Sequence, residues 1–104
     1  MPLFLFYCRD GENGAALRKH WRDAHLAHIE RNIGDIALAG PLKHDDATIG
    51  SLLILRAGDE SAARALFESD PYFQAGVWQS IRTEQFDGLA GDFVGGIRWD
   101  DPAQ

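Results

Sequence analysis

Ile49-Gly50-Ser51-Leu52-Leu53-Ile54-Leu55-Arg56, followed by Ala57-Gly58-Asp59, is the stretch on which the fold turns. Eight residues rich in aliphatic side chains and ending at turn residues predict a strand. Asp59 predicts the N-cap of a helix over Glu60 to about Glu68. Leu52 to Leu55 are apolar at four consecutive positions. A strand packed on helices at one face and wetted at the other alternates apolar with polar. Both faces of this strand are therefore expected to be covered.

Working outward, Ile36 to Leu42 predicts another strand, separated from the first by a polar loop over Lys43 to Thr48 with His44-Asp45-Asp46 at its centre. Toward the N-terminus, Asn13 predicts the cap of a helix running to about Asn32 or Ile33, with Gly34 as a left-handed stop. Before it, Leu3-Phe4-Leu5-Phe6-Tyr7-Cys8 is a second strand without alternation. Toward the C-terminus, Asp70-Pro71 opens a short helical turn through Ala75, because Pro is favoured at the first helical position. Val77 to Phe86 predicts a fourth strand. The order is βαββαβ, which predicts an α+β, ferredoxin-like antiparallel sheet with two helices on one face. We expect a domain over residues 1–87 and an extension over 88–104, in which Phe93-Val94 or Ile97-Arg98-Trp99 adds a short strand before a disordered end. The cheapest cover for the second sheet face of so short a chain is a second copy of itself.

Composition narrows the function. The 104 residues fit one domain, and 45% hydrophobic with 25% charged residues is an ordinary globular balance. Ten basic and 16 acidic residues give a net charge of −6. Such a surface repels phosphate backbones and anionic bilayers, so neither nucleic acid nor membrane is an expected partner. One cysteine, Cys8, makes no intrachain disulfide. No signal peptide or membrane-spanning run is recognisable, so a reducing, cytoplasmic setting is the expectation.

The first helix carries the candidate chemistry. At about 100° per residue, Leu17, Trp21, Ala24, Leu26, Ile29 and Ile33 span one broad arc, with Lys19, Asp23 and Glu30 opposite. His25 lies within the arc between Trp21 and Ile29. His28 lies on it near Leu17, and His20 lies off it. Arg18 and Arg22 precede His25 by seven and three residues. An imidazole on the inward side of a helix is a candidate general base, tuned by burial and neighbours. A lone inward histidine is more often a packed or pocket-wall residue than a catalyst. Asp70 is fully explained as a helix cap, and Tyr72 and Phe73 as core.

Three motifs in order decide between these readings. Arg22-Asp23-Ala24-His25-Leu26 sits on the first helix, and Ala39-Gly40-Pro41 near the end of the second strand. Asp70-Pro71-Tyr72, with Ala75-Gly76-Val77, precedes the last strand. Over about residues 3–87 the chain resembles the YciI-like (YCII-related) family. That resemblance implies a dimeric α+β barrel and a cleft with a histidine–aspartate pair, carried here by His25 and Asp70. It also implies that some relatives are enzymes acting on small cyclic or aromatic compounds, including dehalogenation of a hydroxyquinol.

The expected function is a cofactor-independent lyase, isomerase or hydrolase acting on a small molecule. His25 and Asp70 are the acid–base pair, and Arg22, His28 and Tyr72 contact the substrate. The carboxylate fixes the imidazole tautomer and favours its protonated form, and the imidazole moves the proton. A non-catalytic small-ligand-binding or interaction module on the same homodimer is the alternative, and a cofactor-free monooxygenase is another enzymatic one. No metal is expected. His44-Asp45-Asp46 reads as a solvated turn, the helical histidines lack an HExxH spacing, and a thiol in an apolar strand, such as Cys8, is usually inert.

Overall fold

The structure is a computed structural model that describes residues 1–99. The expected disordered end of the extension falls at residues 100–104, outside the described residues. In chain order the elements are β1 (Leu3–Asp10), α1 (Gly14–Arg31), β2 (Ile36–His44), β3 (Ala47–Arg56), α2 (Glu60–Glu68), α3 (Pro71–Ala75), β4 (Trp78–Phe86), β5 (Ala90–Gly91) and β6 (Gly96–Ile97). The main sheet has the order β2-β3-β1-β4, with every neighbouring pair antiparallel. This is the ferredoxin-like arrangement, with the short α3 inserted before β4.

Strand period places the core. Phe4, Phe6 and Cys8 alternate inward on β1 and pair with Leu55, Leu53 and Ser51 of β3. These residues join Phe67 of α2, with Leu17 and Ile29 of α1 packed against them. Phe6 and Phe67 stack with ring centroids 4.3 Å apart. Both long helices therefore cover one face. The opposite face carries Leu3, Leu5 and Tyr7 of β1 with Leu52 and Ile54 of β3, so the unbroken apolar runs do supply two apolar faces. Gly50 sits where the strands crowd: a Cβ there would run into the Cys8 carbonyl oxygen.

Local details depart from expectation at several turns. The strands around residues 43–48 continue to His44 and Ala47, which pair directly. Only Asp45-Asp46 is left as the turn, with Asp45 in the left-handed region at φ 52°; the short polar side chain of Asp tolerates that conformation. Asn13 precedes α1 without a side-chain cap bond. Gly34 lies within a 3₁₀ turn, Ile33–Asp35, and is not among the residues of positive φ. The helix instead ends on Asn32, whose side-chain amide donates to the His28 carbonyl at 2.8 Å. Asp59 caps α2 as its sequence requires, accepting from the Ala62 amide at 2.8 Å. In the extension, Asp92–Val94 is a 3₁₀ turn and Gly96–Ile97 pairs with Ala90–Gly91.

Candidate active site

α1 lies across the sheet with a narrower inward face than its apolar arc predicts. Trp21 and Leu26 remain 40% and 37% exposed, and Ile33, beyond the helix end, 62%. His28 and the small Gly14 are the helix residues fully buried. The apolar arc is wider than one side of a sheet covers, so its edges, Trp21 and Leu26, stay in solvent while its centre, at His25, faces inward. Arg18, Arg22, His25 and Ile29 form a stripe along this face, at successive spacings of four, three and four.

α3 supplies the partner. It is five residues long, started by Asp70 and Pro71 and closed by Gly76 in the left-handed region at φ 80°. Asp70 is fully buried. Its Oδ1 accepts from the Tyr72 amide at 2.9 Å, the helix cap, and lies 2.8 Å from His25 Nδ1. The same oxygen therefore serves both the cap and the pair. Oδ2 is buried without a hydrogen-bond partner among the described residues. A buried carboxylate with one oxygen unsatisfied leans heavily on its donors, so His25 is part of what keeps Asp70 tolerable in the core. With its Nδ1–H donated to Asp70, a neutral His25 keeps its lone pair on Nε2. The ring stacks on Tyr72 with centroids 3.8 Å apart and planes 3° from parallel, which leaves it little rotational freedom.

Arg18 ties the neighbourhood together. It makes a two-pronged contact with Asp10 of β1, Nε to Oδ2 at 2.8 Å and Nη2 to Oδ1 at 2.9 Å. Nη2 also donates to the Gly50 carbonyl and the Ser51 hydroxyl of β3. The Tyr72 hydroxyl donates to the Arg18 carbonyl at 3.3 Å. Arg18 was noticed in the sequence only as a neighbour of His25, because its partners lie eight and more than thirty residues away.

Between α1 and the β2–β3 half of the sheet lies a cavity of about 450 Å³. Its wall includes His25, Tyr72, Arg22 and the Ala39-Gly40-Pro41 run. Three of the expected site residues, Arg22, His25 and Tyr72, thus come together, with Asp70 directly behind His25. His28 does not join them. It is 5% exposed, lies beside the Asn32 amide, and is not part of the cavity wall. Three residues on from His25, it is rotated about 60° around the helix, toward the core.

The electrostatics follow burial. Burial pushes the His28 imidazole below its usual value; the Asp70 carboxylate opposes this, while Arg31 and His25 add to it. Burial raises Tyr72, against the pull of Arg18. Cys8 is pushed up to about 12, chiefly by burial and further by Asp70, so it is a protonated thiol at neutral pH. Among the described residues no group of three His, Cys, Asp or Glu side chains converges as a metal site. No helix among them is long and apolar enough to cross a membrane.

A split βαβ sheet with its helices on one face and a short helix before the last strand defines the fold class. The family model described as YCII-related domain matches residues 2–87, and the chain belongs to that family. Protein YciI of Escherichia coli O6:H1 is 29% identical to it over 93 residues, spanning 81% of this chain and 95% of that protein. Protein YciI of Shigella flexneri matches to the same extent. Among solved structures, the 5-chloro-2-hydroxyhydroquinone dehydrochlorinase of Burkholderia phenoliruptrix, in complex with 2,5-dihydroxybenzoquinone, is similar at TM-score 0.73 and 29% identity. That match covers 86% of this chain and 96% of the dehydrochlorinase.

Proposed function

We propose that the protein is a small, cofactor-independent homodimeric enzyme carrying out lyase, isomerase or hydrolase-type chemistry on a small cyclic or aromatic compound. The observation that carries this reading is the 2.8 Å bond from Asp70 to a histidine that forms part of a cavity wall. His25 takes a proton from a weakly acidic O–H or C–H of the substrate through Nε2 and returns it to a leaving group or a second ring atom. Asp70 holds the tautomer that leaves Nε2 basic and stabilises the imidazolium formed in between. Tyr72 holds the ring plane, and Arg22 contacts the substrate. His28 is removed from the substrate contacts. The catalytic unit is residues 1–87, with 88–104 as an appendage. A cavity of about 450 Å³ falls in the range of small-ligand sites and suits a single substituted ring. The dehydrochlorinase, whose named substrate is such a ring, supports the size and class.

Turnover measured on a panel of phenols, lactones and halogenated rings tests the reading. His25→Gln retains an N–H donor near Asp70 but has no titratable nitrogen, so it separates proton transfer from support of the buried carboxylate. Both His25→Gln and Asp70→Asn are expected to lower kcat by roughly 10²–10⁴-fold while the fold persists by circular dichroism. Turnover that survives His25→Gln contradicts the mechanism. Ring binding by the native protein without turnover of any panel member favours a ligand-binding module.

A further inference from the structure

Charge in this molecule is unevenly placed. The chain carries −6 overall, yet its cavity wall includes Arg18, Lys19 and Arg22 and no Asp or Glu. Two acids that contact wall residues are already committed: Asp10 to Arg18 and Asp70 to His25. Arg18 is neutralised by its carboxylate and held by β3. Arg22 and Lys19 make no hydrogen bond or ion pair among the described residues. An acidic protein thus presents two unpaired cations at the cavity beside His25. A solvated cation on an exposed helix face needs no explanation, but these two flank a cleft whose other wall is apolar. Leu26 and Ile29, one turn further along α1, and Leu53 on the sheet below supply that apolar wall. Along α1 the wall therefore runs from cationic, at Lys19 and Arg22, through His25, to apolar at Leu26 and Ile29.

Resting on the proposed function, we infer that the ligand is a ring bearing an ionised acid group, a carboxylate or an ionised phenol, and that it binds in one orientation. The anion lies at Arg22 and Lys19. The hydrocarbon part of the ring packs on Ile29, Leu26 and Leu53. This arrangement sets a ring position between the anion and the apolar end beside His25, so charge recognition selects which position is deprotonated. A planar guanidinium suits a carboxylate in two-pronged contact, and a cationic mouth in an acidic protein concentrates anionic ligands while repelling none of its own surface.

The test compares acid and amide of the same shape: benzoate against benzamide, and 4-hydroxybenzoate against 4-hydroxybenzamide. Calorimetry gives the affinities, and the shift of the His25 imidazole in NMR reports whether the cavity is occupied. The acids are expected to bind the native protein roughly tenfold or more tighter than the amides, consistent with a charge-assisted contact. Added salt should erode the acids' advantage but leave the amides unaffected. Arg22→Gln, at an exposed position that leaves the fold intact, should remove most of that advantage, and Lys19→Gln a smaller part. Acids and amides that bind equally while moving the His25 signal overturn the anion reading and leave the acid–base site standing. A full acid preference in the Arg22→Gln, Lys19→Gln double variant overturns it as well. If no probe moves the His25 signal, both the anion reading and the cavity's role fail together.

Discussion

His28 shows how three residues on one helix separate chemistry from packing. It was expected beside the substrate, and it is instead a buried imidazole whose burial lowers its pKa. In the unfolded chain it takes up a proton near its ordinary value of 6.5, while the folded chain takes it up only at lower pH. The unfolded state therefore binds more protons below about 6.5, and folding stability is full above that value and falls as the pH drops through it. Denaturant melts at pH 7 and pH 5 should show the loss. His28→Leu, which fills similar space, should flatten the acid limb, since the Asn32 amide still has the backbone carbonyl of residue 28 as acceptor at 2.8 Å. An acid limb unchanged in that variant would assign it elsewhere. The same scale explains Asp70. Capping accounts for it completely from its own neighbourhood, and the family resemblance implied its pairing with His25; the approach of α1 to α3 adds that one oxygen makes both contacts.

At the scale of elements, legibility followed range. Caps are local, so Asp59 and Asp70 were readable from their own neighbourhoods, and both make the bonds expected of them. Asp59→Ala is accordingly expected to lower stability by about 1 kcal/mol in chemical denaturation, with α1 and the site unperturbed. A loss below a few tenths would mean the α2 terminus is held by packing alone. The strands were readable because aliphatic runs between turn residues leave few alternatives. Less legible was anything set by contact across the sheet. The Asp45-Asp46 turn looked like a six-residue loop, because the extension of β2 and β3 through residues 43–48 depends on their pairing with each other. On α1 the wheel placed His25 and His28 inward, but the polar partners were hidden, because Arg18 reaches Asp10 of β1 and Ser51 of β3 and His25 reaches Asp70 at the start of α3. The helix is held by Arg18–Asp10 and His25–Asp70 as much as by Leu17 and Ile29.

At the scale of the whole molecule, the consequence of the two unbroken apolar strands is a sheet face that neither long helix of the described residues covers. Leu38 of β2 and Tyr7 of β1 are each 39% exposed there, and Phe86 of β4 is 38%. Between them Leu5, Leu52 and Ile54 form a continuous apolar band, by the pairings Leu38 with Ile54 and Leu3 with Phe86. Monomeric soluble proteins seldom expose a contiguous patch of this kind. On the same face Arg82 and Glu84, paired across from Tyr7 and Leu5, bond to each other at 3.0 Å. Light scattering should report about twice the 11.5 kDa chain mass. Leu38→Glu places a charge within the proposed contact, on edge strand β2, at a half-exposed position in the single chain. It should yield a folded monomer and leave the His25–Asp70 pair in place. A native protein that runs as a monomer at micromolar concentration refutes the covered face. A Leu38→Glu variant that remains dimeric moves the contact to another surface, for which the exposed Phe93 and Ile97 of the extension are the next to be mutated.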